Sequence, residues 1–179
     1  VGDEPEPGAD ARPRPLLVLG SASPARAALL RNAGITPEIR PSAVDEVALT
    51  AGFGARAGDP LWLTQRLARA KALDVADHVR AGTVTRPDRV LVLGADSMLD
   101  LDGRVLGKAG SAEEVRERWA AMAGRTGWLV TGHTLVDVGS GRTAEATCST
   151  LIRFGRPDPE ELEAYIASGE PLAVAGSCT

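Results

Sequence analysis

The sequence predicts an α/β protein, on three grounds. Leu16-Leu17-Val18-Leu19 and Val90-Leu91-Val92-Leu93 are continuous apolar runs. Such runs fit strands buried on both faces, where no polar alternation is needed. Capping signals open the helical segments, at Ser23-Pro24, Asp59-Pro60, Ser111 and Asp158-Pro159. Strand and helix signals then follow one another along the chain. With 179 residues the chain suits one domain, or two small lobes around one cleft.

Hydrophobic residues make up 44% and charged residues 25%, the balance of a soluble globular protein. Aromatics are only 3% and net charge is −4, with no basic stripe. Bases would find few stacking platforms and phosphates no basic track, so no nucleic-acid partner is expected. An anionic small ligand would have to be met by a few local cations. Cys148 and Cys178 form neither a disulfide framework nor a metal-ligand spacing. They read as a small buried hydrophobe and a chain-end residue. No stretch approaches membrane-spanning length and no charged-then-apolar leader opens the chain, so the expectation is a cytoplasmic protein with no membrane partner.

Residues 1–15 are rich in Pro, Gly, Asp, Glu and Arg and read as a loose, disordered arm. Residues 16–19 are the first strand, and Gly20-Ser21-Ala22-Ser23 is a tight polar turn. A helix follows from Pro24, capped by Ser23 and ended by Gly34. This unit aims free backbone N–H groups and the positive end of a helix dipole at one turn. With Ser21, Ser23 and Arg26 on that turn, it is either a phosphate cradle or an ordinary capped helix with a surface arginine.

Residues 35–41 predict a short strand, Asp45-Glu46 a loop, and residues 52–58 a flexible stretch. The next helix covers residues 61–76, with Leu63, Leu67, Ala70 and Leu73 sharing one face. Lys71 lies beside that face. It either looks inward toward a cleft or snorkels to solvent. Residues 77–89 read as a polar loop. Ser111-Ala112-Glu113-Glu114 predicts a capping box opening a helix that Gly124 closes. Residues 128–138 and 143–154 are strands around a Gly139-Ser140-Gly141 turn. Asp158-Pro159-Glu160-Glu161 opens the last helix, which ends at Ser168-Gly169.

The central stretch is residues 90–107. After its apolar run, Gly94 and Ala95 let the chain turn, and Asp96 stands where an α/β sheet opens into a ligand crevice. Met98-Leu99-Asp100, Asp102-Gly103 and Val105-Leu106 predict a hairpin, with Lys108 beyond it. Asp96 with Lys108 makes an anion and metal site, or Asp96 simply ends its strand. Gly103 to Lys108 fails as a P-loop, because only three residues separate Gly103 from Gly107 and Ala109 stands where Ser or Thr must bind magnesium. His78 and His133 have no partner at zinc spacing, and His133 reads as structural. Trp62, Trp119 and Trp128 read as core.

One ordered set of motifs covers nearly the whole chain. It begins with Leu19-Gly20-Ser21-Ala22-Ser23-Pro24-Ala25-Arg26, Leu29-Leu30 and Gly34. Asp45-Glu46, Leu67-Ala68-x-x-Lys71-Ala72, Gly94-Ala95-Asp96-Ser97 and Gly107-Lys108 follow. Gly124-Arg125-Thr126, Thr131-Gly132, Tyr165-x-x-x-Gly169-Glu170-Pro171 and Ala175-Gly176 complete it. This set resembles the Maf proteins, nucleoside triphosphate pyrophosphatases once described as septum-formation inhibitors. The resemblance implies a mixed twisted sheet with flanking helices, two lobes around a central cleft, as in inosine triphosphatases. It implies a divalent cation, magnesium or manganese, a cytoplasmic location, a nucleoside triphosphate substrate and a homodimer. It makes Asp96 the catalytic carboxylate and pairs Glu46 with Asp96 at the metal. It places Ser21, Ser23, Arg26, Lys71, Ser97 and Lys108 on the substrate.

In that reading, water attack at the α-phosphorus gives a nucleoside monophosphate and pyrophosphate. Arg26→Ala and Lys108→Ala would both weaken triphosphate binding, more at low salt than at high. The alternatives are an inosine or xanthosine triphosphate pyrophosphatase, and a nucleotide-binding regulator of septum formation with little turnover. Two residues depart from the family pattern, both where the resemblance places base selection. Ala25 replaces the first arginine of the usual Ser-Pro-Arg-Arg, and Ser97 a common threonine. Residues 16–179 thus read as a single domain, and the resemblance leads one to expect a further glycine-rich strand and helix beyond Thr179.

Overall fold

In the computed structural model, which describes residues 15–82 and 89–178, the first strand is β1 (Leu16–Leu19). It lies parallel to β2 (Glu38–Ile39) on one side and to β3 (Val90–Leu101) on the other. β4 (Arg104–Leu106) folds back on β3 through Asp102-Gly103, whose φ values of 51° and 82° are both positive. That is the turn a tight hairpin demands, and the Asp-Gly pair predicted it. β5 (Thr126–Asp137) runs antiparallel to β3, and β6 (Thr143–Arg153) antiparallel to β5. The sheet order is β2-β1-β3-β5-β6, with β4 paired to β3, so the sheet is mixed.

The helices are α1 (Pro24–Asn32), α2 (Glu46–Ala51), α3 (Pro60–Ala81), α4 (Ala112–Met122), α5 (Pro159–Ala167) and α6 (Glu170–Ala173). The predicted caps hold. Ser23, Asp59, Ser111 and Asp158 each accept a backbone N–H of their own first turn. Asp158 and Glu161 form the full capping box. At α4 the box is only half made, because Glu114 reaches the N–H of Gly110 rather than that of Ser111.

α3 crosses the sheet and builds the larger core. Val75, Ala76 and Val79 pack there with Val18, Val90, Val92 and Val136. A second cluster, Leu99, Leu101, Met122 and Phe154, lies under the far half of β3. A third joins Ala109, Val115 and Ile166 between α4 and α5. β3 therefore threads two cores, and Asp96 sits in the strand between them.

Several expectations need correction or detail. β3 does not turn at Gly94-Ala95 but continues for 12 residues. Gly94 is a packing site: a Cβ there would overlap the Ala68 carbonyl and lie 2.6 Å from Ala72 N. Gly132, opposite Asp96 on β5, would likewise bring a Cβ to 2.5 Å from Thr64 backbone atoms. Two missing side chains on neighbouring strands let α3 lie directly on the sheet. Asp45-Glu46 is not loop, since Asp45 caps α2. The stretch at 52–58 contains a 3₁₀ turn, Gly54–Gly58. α3 runs to Ala81, past the predicted loop start, while residues 83–88 of that loop and residues 1–14 of the predicted arm lie outside the described residues. Finally, Cys148 is exposed on β6 and Trp128 is 48% exposed on β5, so neither is core.

The α3 contact yields a first test. Gly94→Ala or Gly132→Ala is expected to cost about 1–3 kcal/mol, the cost of overpacking against atoms that cannot yield. For a chain of this length that is a melting point lower by several degrees. Wild-type melting in both variants would show that the helix is not seated on these glycines.

Candidate active site

Asp96 and Gly94 point to the α3 face of β3, because residues two apart in a strand share a face. The close seating over Gly94 brings Lys71, one turn along α3 from Ala68, onto Asp96. Lys71 Nζ lies 2.5 Å from Asp96 Oδ1 and 2.8 Å from Glu46 Oε1. Asp96 and Lys71 are buried, while Glu46 is 45% exposed at the start of α2. The inward reading of Lys71 holds. A snorkelling lysine would not leave its ammonium between two carboxylates.

Asp96 Oδ2 is buried and has no hydrogen-bond partner among the described residues. An unpaired buried carboxylate oxygen is costly, and such groups call for an explanation from function. Burial raises the Asp96 pKa above the ordinary carboxylate value. The charge and hydrogen bond of Lys71 oppose that rise, Glu46 adds to it, and Arg26 opposes it.

Arg26 comes to the same stretch of β3 from its edge. β1 ends at Leu19, and Gly20 N–H donates to the Leu93 carbonyl at 2.8 Å. The next carbonyl on that edge, Ala95, has no strand beside it. Arg26 Nη1 donates to it at 2.9 Å and to Ser21 Oγ at 2.9 Å, and Nη2 donates to Ser97 Oγ at 3.0 Å. The guanidinium thus replaces a strand neighbour. Burial lowers its pKa, against the pull of Asp96 and Glu46. Ser21 Oγ also accepts from Ser23 N–H, while Ser23 Oγ caps Arg26 N–H at 3.4 Å.

The structure therefore gathers Ser21, Ser23, Arg26, Glu46, Lys71, Asp96 and Ser97. Lys108 is not among them. Its side chain is exposed past β4 and has no ion-pair or hydrogen-bond partner among the described residues. Two neighbours do not read as site residues from sequence, where His133 reads as structural. Thr131 Oγ1 lies 3.0 Å from Ser97 Oγ across the β3–β5 pair. His133, opposite Ala95, has its pKa lowered by burial and then by Arg26, with a hydrogen bond at Ala146 opposing the shift. Only the Thr131-Gly132 motif marked the first, and nothing local marked the second.

The donor set is informative about metals. Among the described residues no group of three or more His, Cys, Asp or Glu could hold an ion. Two carboxylates, one with a free oxygen, suit a hard cation that keeps waters and takes further oxygens from a substrate. Zinc-type sites need more protein ligands than this.

A family model described as Maf-like protein matches residues 16–179. A protein of Streptomyces coelicolor named nucleoside triphosphate pyrophosphatase is 51% identical over 170 residues, covering 94% of this chain and 76% of that one. One of the same name from Streptomyces avermitilis is 50% identical, with the same coverage of each chain. Another, from Rhodococcus erythropolis, is 46% identical over 166 residues, covering 91% of this chain and 76% of its own.

Proposed function

The chain belongs to the Maf family and is a nucleoside triphosphate pyrophosphatase, and we propose that the Asp96 centre performs its hydrolysis. One observation supports this most: a buried carboxylate with one oxygen fixed by Lys71 and the other unpartnered. Oδ2 is the acceptor for a proton of the attacking water. Burial makes Asp96 a stronger base than an exposed aspartate, which favours proton transfer from the water.

Water adds to the α-phosphorus as its proton passes to Asp96. The bond from that phosphorus to the bridging oxygen breaks, and pyrophosphate leaves. Lys71 holds the Asp96 carboxylate and supplies a point charge, while Arg26 offers a planar fork of donors to phosphate oxygens. Ser21, Ser23 and Ser97 orient the cradle around Arg26, and Lys108 adds a cation from beyond the hairpin. Glu46 and Asp96 would hold a divalent cation, magnesium or manganese, which when bound polarises phosphoryl oxygens and offsets developing charge. The proposal includes a cytoplasmic homodimer, where ordinary and modified triphosphates are at hand. Among the described residues no helix is long and apolar enough to cross a membrane.

A pyrophosphate-release screen over ordinary and modified triphosphates tests the reading. Release dependent on magnesium or manganese supports it. A strong preference for inosine or xanthosine triphosphate would move the assignment to that class, and binding without release would make the protein a nucleotide-binding regulator.

The pH profile gives a second test. A raised Asp96 pKa places the acid limb of kcat/KM above the ordinary aspartate value of about 3.9. Lys71 holds that pKa down, so Lys71→Met is expected to move the limb further up. A limb that stays or falls would remove Asp96 as the titrating base. The same shift has a stability sign. The native state binds this proton more tightly than the unfolded chain, so its contribution to stability declines as pH rises from the unfolded value through the raised one.

A further inference from the structure

Lys108 is exposed, yet the main chain around it is fixed on both sides. Before it, the Gly107 carbonyl accepts from Gly176 N–H at 2.9 Å and from Arg118 Nη1 at 2.6 Å. After it, Ala109 is buried against Val115 and Ile166. The Lys108 carbonyl accepts from Arg118 Nη2 at 3.2 Å. Arg118 stands on α4 with its side chain only 10% exposed, paired to Glu114 at 2.5 Å, and Glu114 also takes the Gly110 N–H. One buried arginine and its carboxylate therefore hold the chain at Gly107, Lys108 and Gly110, and leave one side chain free.

With Glu114 42% exposed, the ion pair itself adds little stability, and an apolar residue of like size could fill the place of the Arg118 stem. A methionine at 118 would carry an apolar stem of similar length without desolvating a charge. What the guanidinium adds is geometry. It locks the backbone from which a flexible lysine stem projects, and a lysine acts on phosphate as a point charge whose position matters.

We infer that Arg118 is a positioning residue for triphosphate hydrolysis, acting through Lys108 by fixing the main chain on which that cation is mounted. This rests on the reading above that Lys108 meets the substrate. Arg118 itself touches no substrate in this account.

The experiment is a double-mutant cycle of Arg118→Met and Lys108→Ala in the full chain, with KM, kcat and their salt dependence for one triphosphate. Arg118→Met is expected to raise KM about tenfold, the scale of one charge-assisted contact, with kcat held within about twofold. Its KM should also depend less on salt than that of the wild type, because a misplaced Lys108 no longer reports screening. In the Lys108→Ala background it should add nothing. Arg118→Lys, which keeps the charge and one carbonyl bond, should fall between, and it reads the same quantity should the methionine variant melt early. Full additivity of the two substitutions would overturn the inference, because Arg118 would then act by another route. So would an unchanged KM in Arg118→Met when Lys108→Ala raises it. An unchanged KM in Lys108→Ala itself would remove the premise, which separates that failure from the failure of Arg118.

Discussion

Asp96→Asn is expected to slow pyrophosphate release by about 10²–10⁴-fold, the range for losing a general base. The variant should still fold. Asparagine keeps the shape and retains an oxygen for the Lys71 ammonium, now 2.5 Å from Oδ1. Lys71 also keeps Glu46 at 2.8 Å, so its charge is not orphaned. What disappears is the basic Oδ2, whose place is taken by an amide that can only donate. Triphosphate binding should survive, and in metal-free buffer tighten, because a like charge beside the phosphates is gone. Melting, affinity and turnover measured on the same variant separate the roles. Near-normal turnover in a folded variant would sink Asp96 as the base. Loss of stability with turnover intact would make it structural. Binding lost only when metal is present would leave Asp96 with the metal-holding role alone and give the base to another group. The reading of Asp96 as a mere strand end is already set aside, since β3 continues to Leu101.

How far the sequence reveals this centre depends on the range of the forces involved. The strand–turn–helix at β1 and α1 is legible because capping and apolar runs act over a few residues. So is the β3–β4 hairpin, with its Asp-Gly turn. Gly94 is misleading for a tertiary reason. Glycine after a strand reads as punctuation, whereas here it makes room for a helix more than twenty positions earlier in the chain. α3 hides its last turn in a similar way. Asp77, His78 and Arg80 look like loop, yet a helix needs only one apolar face, and Val75, Ala76 and Val79 supply it. The buried stripe also falls on Thr64, Ala68, Lys71 and Ala72 rather than on Ala70 and Leu73. α2, at 6 residues, is too short to show a period. Arg26 reaches Ala95 and Ser97 across 69 and 71 positions, and no local pattern contains such a contact.

That distance sets up the second large effect. The sequence alone treats Arg26 and Lys108 alike, as cations whose loss matters most at low salt. The structure separates them. Arg26 is desolvated and bonded to Ser21, Ala95 and Ser97, while Lys108 is exposed and unpaired among the described residues. Buried charges are screened far less than exposed ones. Arg26→Ala is therefore expected to weaken triphosphate binding by about 10–100-fold, nearly independent of salt, as for loss of a hydrogen-bonded charge. Lys108→Ala should cost less, and its cost should shrink as salt rises from about 0.05 M to about 0.5 M, where the Debye length becomes a few ångströms. Arg26→Lys should not recover affinity, since an ammonium cannot serve three acceptors and a phosphate in one plane. It also controls for folding. A lysine variant that melts like the wild type but binds weakly places the loss at the ligand, not in the tie between α1 and β3. Titration of a non-hydrolysable triphosphate at both salt concentrations reads the outcome, and equal salt slopes for the two alanine variants would show that Arg26 is not the partly buried clamp of the phosphate site.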